Sequence, residues 1–273
     1  MLPNDVDVID LRPVQSNDLD WRHLYALRRE LVRRNLRGGR FLITVGTDAL
    51  EEVAYFTTLV RPPGTAVAVV GAMKPPAVPG SDAAASLARA WQWLGQDRNQ
   101  GVTVCIGGEN LNAGIVEKVF ENGWRIRPCD ELGPTLPDWS LDPSARLTPT
   151  APRVPILTAG IGCDKWIADV LRGSQPDGVV LCGYGAGDLP KGLVPSVKRL
   201  VAREIPVVLA SRSRPGRVEP LFPGIPGASH DLLRAGAHGA GNLSGALARV
   251  RLMLARAVRP KVPVERAFGR SLE

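Results

Sequence analysis

Aromatic residues make up only 5% of this 273-residue chain, and cysteine occurs four times. No apolar run approaches the roughly 20 residues needed to cross a bilayer, so no membrane span is expected. The four cysteines, Cys105, Cys129, Cys163 and Cys182, are widely scattered, with no C-x-x-C spacing and no nearby histidine pair. That spacing argues against a zinc site and a disulfide framework and leaves free, mostly buried thiols. The opening MLPNDVDVID lacks the basic-then-apolar order of a signal peptide, and a cytoplasmic address is expected. No internal repeat and no low-complexity tract interrupts the chain.

The remaining composition is that of a folded protein, with 44% hydrophobic and 22% charged residues. The length suffices for one large domain or two ordinary ones with proper cores. Net charge is +7, and arginine gathers between Arg28 and Arg40 and between Arg249 and Arg259. Both runs lie on helical patterns, marked by Trp21, Leu24, Leu27 and Leu31 in one and Leu252, Met253 and Leu254 in the other. Solvated helix faces account for such runs, and no aromatic–basic interleaving points to nucleic acid. A basic surface would still steer an anionic small substrate.

Apolar, β-rich runs alternate with helical patterns along most of the length. Strands are predicted over residues 6–11, 41–45, 66–70, 102–106, 154–158, 178–182 and 207–210, and helices over 20–35, 50–59, 83–94, 165–171, 195–203 and 245–257. Near-continuous apolar strands between amphipathic helices indicate parallel sheet covered on both faces. Between Pro128 and Pro155 seven prolines break the alternation. Proline removes backbone donors and blocks helix, so an extended linker is expected to separate two α/β domains.

Four strand ends carry polar or glycine-rich turns. In FLITVGTDALEEVAYF the strand ends at Val45, Gly46 permits a tight turn, and Thr47 and Asp48 fall at the sheet edge, where ligands bind in open α/β sheets. Asp48 equally suits a helix cap, with Glu51 and Glu52 favourable in the first turn. In GVTVCIGGENLNAGIVEKV, Lys118 follows a Gly107-Gly108 turn. A desolvated lysine can act as a base; a lone one is usually solvated. VVLCGYGAGDLP runs into Gly183, Gly185 and Gly187 without a phosphate-binding fingerprint, and in LASRSRPGRV the residues Ser211, Arg212 and Ser213 suit a polar loop.

Taken in order, TVGTDALEEVAYF, VGAMKPPAVPGSDAAASL, GVTVCIGGENLNAGIVEKV, GVVLCGYGAGDLP, PVVLASRSRPGRV and AGNLSGALARVRLMLA resemble the blocks of the bacterial-type asparaginase/glutaminase family. The resemblance covers about Ser16 to Ala257 apart from the linker. It implies a two-domain α/β fold: a larger N-terminal domain with a parallel or mixed sheet over residues 1–130, a proline-rich linker over 131–152, and a smaller C-terminal α/β domain over 153–273. It implies hydrolysis of, or acyl transfer from, an Asn/Gln- or Asp/Glu-type side-chain amide through a threonine, with no metal and no cofactor. Thr47, Asp48 and Lys118 look like one of the family's threonine groups. Lys118 would accept the Thr47 proton, and Asp48 would hold the substrate amine or orient the lysine. Ser16 resembles the serine that binds the substrate carboxylate, Asn17 stands where a glutamine is usual, and Gly46 shapes the turn. Asp188 stands at an asparagine that reaches a neighbouring subunit's site, which implies a homodimer or homotetramer.

Other positions depart from the pattern. Val45 replaces a histidine, Leu247 replaces a lysine, and after Lys118 the chain runs through VFENGWRIRPCDELG, unlike the family. The family's opening G-G-T-I turn, with its primary threonine, and the tyrosine-bearing lid have no counterpart in MLPNDVDVIDLRPVQ. Attack would then fall to Thr47 or to water, with less exclusion of solvent. A rearranged N-terminus, another subunit or a partner polypeptide would have to cover the sheet edge. The alternative expectation is a degenerate homologue that binds an amino acid or a partner protein without hydrolysis.

Overall fold

Short strands of small β-branched residues, Ala66–Val70 and Val207–Ser211 among them, lie fully buried and fix the centres of two sheets. The computed structural model describes residues 6–11, 14–34, 38–112, 116–120, 124–128, 136, 138–269 and 272; Asn35, Cys129 and the first part of the expected linker (131–135 and 137) lie outside the described residues. A 3-10 turn (Ser16–Asp18) leads into α1 (Trp21–Arg34), and β1 (Arg40–Thr44), α2 (Leu50–Val60), β2 (Ala66–Val70), α3 (Ala83–Leu94) and β3 (Gly101–Ile106) then alternate. β4 (Glu109–Asn112) folds back on β3, and β5 (Val116–Phe120) pairs with β6 (Trp124–Pro128). After β7 (Arg146–Leu147) come β8 (Ile156–Thr158), α4 (Asp164–Gly173), β9 (Val179–Gly183), α5 (Val194–Ala202) and β10 (Val207–Ser211). The chain ends through α6 (Ser229–Arg234), β11 (His238–Gly239), α7 (Gly245–Ala257), β12 (Val258–Arg259) and α8 (Val264–Phe268).

The first sheet has the order β1-β2-β3-β4, with β1, β2 and β3 parallel and β4 antiparallel to β3. The second, β11-β10-β9-β8, is parallel throughout. Helices against these sheets make an α/β protein of the layered kind. The predicted strand over residues 6–11 does not form: Val8 is 76% exposed, and without burial the alternating aspartates leave nothing to hold an extended pairing. Among the described residues β1 pairs only with β2, so its other edge is open.

One apolar cluster runs from Trp21, Leu31 and Phe56 through Val67 and Val104 to Leu247, Leu252 and Phe268, so α7 packs into the same core as α2. The proline-rich stretch is part of that core. Trp139 and Leu141 are buried in it, the Leu141 N–H donates to the Leu59 carbonyl at 2.7 Å, and β7 pairs with β12.

Two arginines expected on solvated helix faces are buried instead. Arg28 directs Nη2 at the carbonyls of Asp142, Pro143 and Ala145, at 3.4, 3.1 and 2.6 Å. Arg251, 4% exposed, donates from Nε to the Ala267 carbonyl at 2.6 Å and from Nη1 to the Tyr55 hydroxyl at 2.9 Å. Its guanidinium also lies 5.3 Å from the centre of the Trp139 ring and 5.8 Å from that of Phe268. A segment with few regular backbone hydrogen bonds leaves carbonyls to be satisfied, and the guanidinium fork supplies several donors from one side chain.

Arg251→Ala removes both hydrogen bonds and the stacked cation, and it is expected to cost about 2–4 kcal/mol of unfolding free energy in urea titration. A loss below about 1 kcal/mol would show that Arg251 does not tie these elements together.

Candidate active site

β1 delivers Val45, Gly46, Thr47 and Asp48 beyond the carboxyl edge of the first sheet, and the Val45 N–H still donates to the Val70 carbonyl at 3.0 Å. The turn is tight for a steric reason. A Cβ on Gly46 would fall 2.5 Å from Ser16 Oγ, so the missing side chain lets Ser16 sit directly against the turn. Gly71, just after β2, plays the same part beneath Thr47: a Cβ there would lie 3.3 Å from Thr47 Cγ2 and 2.5 Å from Leu50 Cδ1. Thr47 is thereby held over the end of β2.

Asp48 does not cap α2. The N-cap is Ala49, which makes no side-chain cap bond, and Asp48 Oδ1 instead meets Lys118 Nζ at 2.5 Å. The same nitrogen lies 3.1 Å from Thr47 Oγ1. The lysine side chain is 22% exposed and that of Asp48 60%, so the group opens to solvent on the aspartate side. An ion pair this exposed contributes about 0–1 kcal/mol to stability; its importance is in placing an amine beside a hydroxyl.

Lys118 reaches this point from β5, in a two-stranded ribbon that belongs to neither four-stranded sheet. Its backbone N–H donates to Glu51 Oε2 at 3.1 Å, so the first turn of α2 holds the strand that carries the lysine. Burial raises the Glu51 carboxyl above the ordinary range, and the charges of Glu52 and Glu117 push the same way; the Lys118 N–H and the Arg214 charge oppose them. Burial raises Glu52 as well, against the charge of Arg249. Glu117 forms an ion pair with Arg214, with Nε 2.9 Å from Oε2. Glu117 and Arg214 were not among the residues singled out in the sequence, and Glu51 was noted only as an acidic residue of a helix first turn. The only local sign was the alternation in VEKV, which sets Glu117 and Lys118 on opposite faces of a strand.

Ser16, Gly46, Thr47, Asp48 and Lys118 thus come together. Asn17 lies exposed on the same 3-10 turn as Ser16. Asp188 is placed apart from them: it closes the glycine-rich turn after β9 through backbone bonds with Tyr184, and its Oδ1 accepts the Ser229 N–H at 2.8 Å. The serine–arginine turn after β10 is also structural. Ser211 Oγ donates to the Gly185 carbonyl at 2.6 Å, and the Arg212 guanidinium stacks 3.8 Å from the centre of the Tyr184 ring. Among the described residues no group of histidine, cysteine, aspartate and glutamate has the arrangement of a metal site, and Cys105, Cys163 and Cys182 are free thiols. No helix among the described residues is long and apolar enough to cross a membrane.

The N-terminal asparaginase family model matches residues 3–125, and the glutaminase/asparaginase C-terminal domain matches residues 153–262. A probable L-asparaginase of Deinococcus radiodurans is 31% identical over 238 residues, which cover 80% of this chain and 72% of that protein. An L-asparaginase of Bacillus licheniformis is 27% identical over 255 residues, 86% of this chain and 78% of its own. The crystal structure of a probable cytoplasmic L-asparaginase from Campylobacter jejuni superposes with a TM-score of 0.75 at 25% identity, covering 94% of this chain and 83% of that one. With both halves matched, a two-domain fold shared with a solved relative and identity above 30% over most of a second, the chain belongs to the asparaginase/glutaminase family.

Proposed function

We propose that this chain is an amidohydrolase that cleaves the side-chain amide of an asparagine- or glutamine-like amino acid, with Thr47 as nucleophile. The observation that carries the reading is the position of Lys118 Nζ, 3.1 Å from Thr47 Oγ1 and 2.5 Å from Asp48 Oδ1. A threonine hydroxyl is a weak nucleophile until a neighbouring base takes its proton. An incoming substrate ammonium takes the place of the Lys118 ammonium at Asp48, and Lys118, its proton released to solvent, faces Thr47 as a neutral amine. Oγ1 then attacks the amide carbon, its proton passes by way of Lys118 to the leaving nitrogen, and ammonia departs. Water cleaves the resulting ester and restores the hydroxyl. Ser16, against Gly46, receives the substrate carboxylate in this reading.

Homo-oligomeric assembly belongs to the same proposal, with Asp188 offered to a neighbouring subunit. So does a polypeptide segment laid along the open edge of β1. A second reading, an amino-acid-binding homologue without turnover, draws support from Val45 and Asp188, which stand where the family has histidine and asparagine.

Ammonia release from asparagine, glutamine and related amides tests the first reading. Thr47→Ala and Lys118→Met are each expected to lower kcat about 100-fold or more while calorimetry still records substrate binding. No ammonia from any amide, with amino-acid binding unaltered by Thr47→Ala, would overturn the hydrolase reading and leave the binding one.

A pH test follows from Glu51. Its folded pKa is raised, so its contribution to stability is present below the ordinary glutamate range and is lost as pH rises through the folded value. The stability of wild type minus that of Glu51→Gln should therefore fall in urea unfolding as pH rises above the ordinary glutamate range. A difference that stays flat or rises would contradict the desolvation of this carboxyl.

A further inference from the structure

Thr47 and Asp48 follow a strand of the first sheet, whereas Lys118 comes from a strand that belongs to neither four-stranded sheet. Its strand, β5, pairs only with β6 among the described residues, and a two-stranded ribbon is marginally stable by itself. β5 starts in the core at Val116, 2% exposed, and ends in solvent at Phe120, 67% exposed. Lys118 lies midway along this gradient. Glu117, next to it, points to the opposite face of the ribbon and is 7% exposed, too deep for a carboxylate to remain without a cation.

The cation comes from the far half of the chain. Arg214, in the loop after β10, donates from Nε to Glu117 Oε2 at 2.9 Å. The Nη1 of the same guanidinium is fixed by the carbonyls of Asn242 and Gly216, at 2.9 and 3.2 Å. Asn242 is itself buried, in the approach to α7. The guanidinium is therefore oriented by the second half of the protein before it meets Glu117, and its planar fork leaves little freedom in the direction of that contact.

We propose that Glu117 and Arg214 form a positioning clamp for Lys118, through which the region around the second sheet sets the approach of the lysine to Thr47. The strand is gripped twice: the Lys118 N–H is bound by Glu51, from the helix that follows Thr47 and Asp48, and the neighbouring carboxylate is bound by Arg214. Neither Glu117 nor Arg214 touches the reacting atoms. Their effect is on the direction of Nζ, and a shift of about 1 Å in a reacting group can cost about 100-fold in rate. The inference rests on the reading of Thr47, Asp48 and Lys118 as the reacting site.

Two readouts on the full chain test it. Amide hydrogen exchange should be faster by about tenfold in a peptide spanning residues 116–120 of Arg214→Gln, with little change in one spanning β9. If the wild type releases ammonia, kcat of the folded Arg214→Gln protein should fall about 10- to 100-fold with KM changed by less than about threefold. Glu117→Gln should do the same, and the double variant should be no worse than either single one. Should Arg214→Gln fail to fold, Glu117→Gln and Arg214→Lys, which keeps a charge but lacks the fork, take its place. Unchanged exchange at 116–120 in folded variants overturns the clamp, as does wild-type kcat in a folded variant. If the wild type hydrolyses no amide, the reading of the site fails, and exchange at 116–120 alone decides whether the clamp exists.

Discussion

The amine beside Thr47 is carried there by a strand outside both main sheets, and much of the arrangement around it serves to hold that strand. Backbone pairing within a sheet would have fixed β5 through its own hydrogen bonds. With only β6 beside it among the described residues, the strand is also held by Val116 in the core and by side chains that reach it from elsewhere. Glu51 binds its backbone and Arg214 binds Glu117. These contacts link the start of α2, the ribbon and the loop after β10, elements far apart in sequence. The turn bearing Thr47 and Asp48 has the opposite character: it is set locally, by a buried parallel strand and by two glycines whose missing side chains admit Ser16 on one side and Thr47 on the other.

Buried or half-buried arginine is the recurring means of joining the parts. Arg28 satisfies carbonyls of the proline-rich stretch, Arg251 joins α2 to α8, and Arg214 holds the ribbon. Replacing a buried pair by apolar residues is often neutral, whereas removing one partner strands the other at a cost of about 3–5 kcal/mol. Such contacts therefore contribute geometry more than net stability. Arginine suits the positions of Arg251 and Arg214 better than lysine would, because donors in one plane can meet acceptors of different segments together. Part of the +7 charge is thus inside the protein, engaged with backbone oxygens, and is not available to the surface.

The sheet centres were legible in the sequence because their strands are near-continuous apolar runs; β2 and α3 fall on the residues their patterns indicated. So was the turn at Thr47, since an apolar strand followed by Gly-Thr-Asp and an acidic first turn has few other readings. β4, β5 and β6 were not. ENLN, VEKVF and WRIRP are short and half polar, and their pairing is decided by cross-strand neighbours. Residues 6–11 failed in the other direction: alternation of apolar and acidic residues suits a strand, but Val8 and Ile9 are exposed and, of this stretch, only Leu11 packs against the core among the described residues. Arg28 and Arg251 misled for a related reason, because a helical arginine run reads the same whether its cations meet water or backbone carbonyls.

The local alternation around Asp48, cap or site, shows what decides such cases. A cap is satisfied within one turn, by the N–H groups of its own helix. Asp48 lies one residue too early for that, and its partner is seventy residues away in sequence. No local rule indicates Lys118 as that partner, since the lysine is carried by β5, a strand that Glu51 and Arg214 contact from distant parts of the chain. The carboxylate that follows Thr47 and the carboxylate that precedes Lys118 thus have separate tasks. Asp48, exposed, meets the ammonium and whatever approaches from solvent; Glu117, buried, has no access to a ligand and can act only on the strand. In the proposed site, the difference in burial between Asp48 and Glu117 is what assigns the first to the chemistry and the second to positioning.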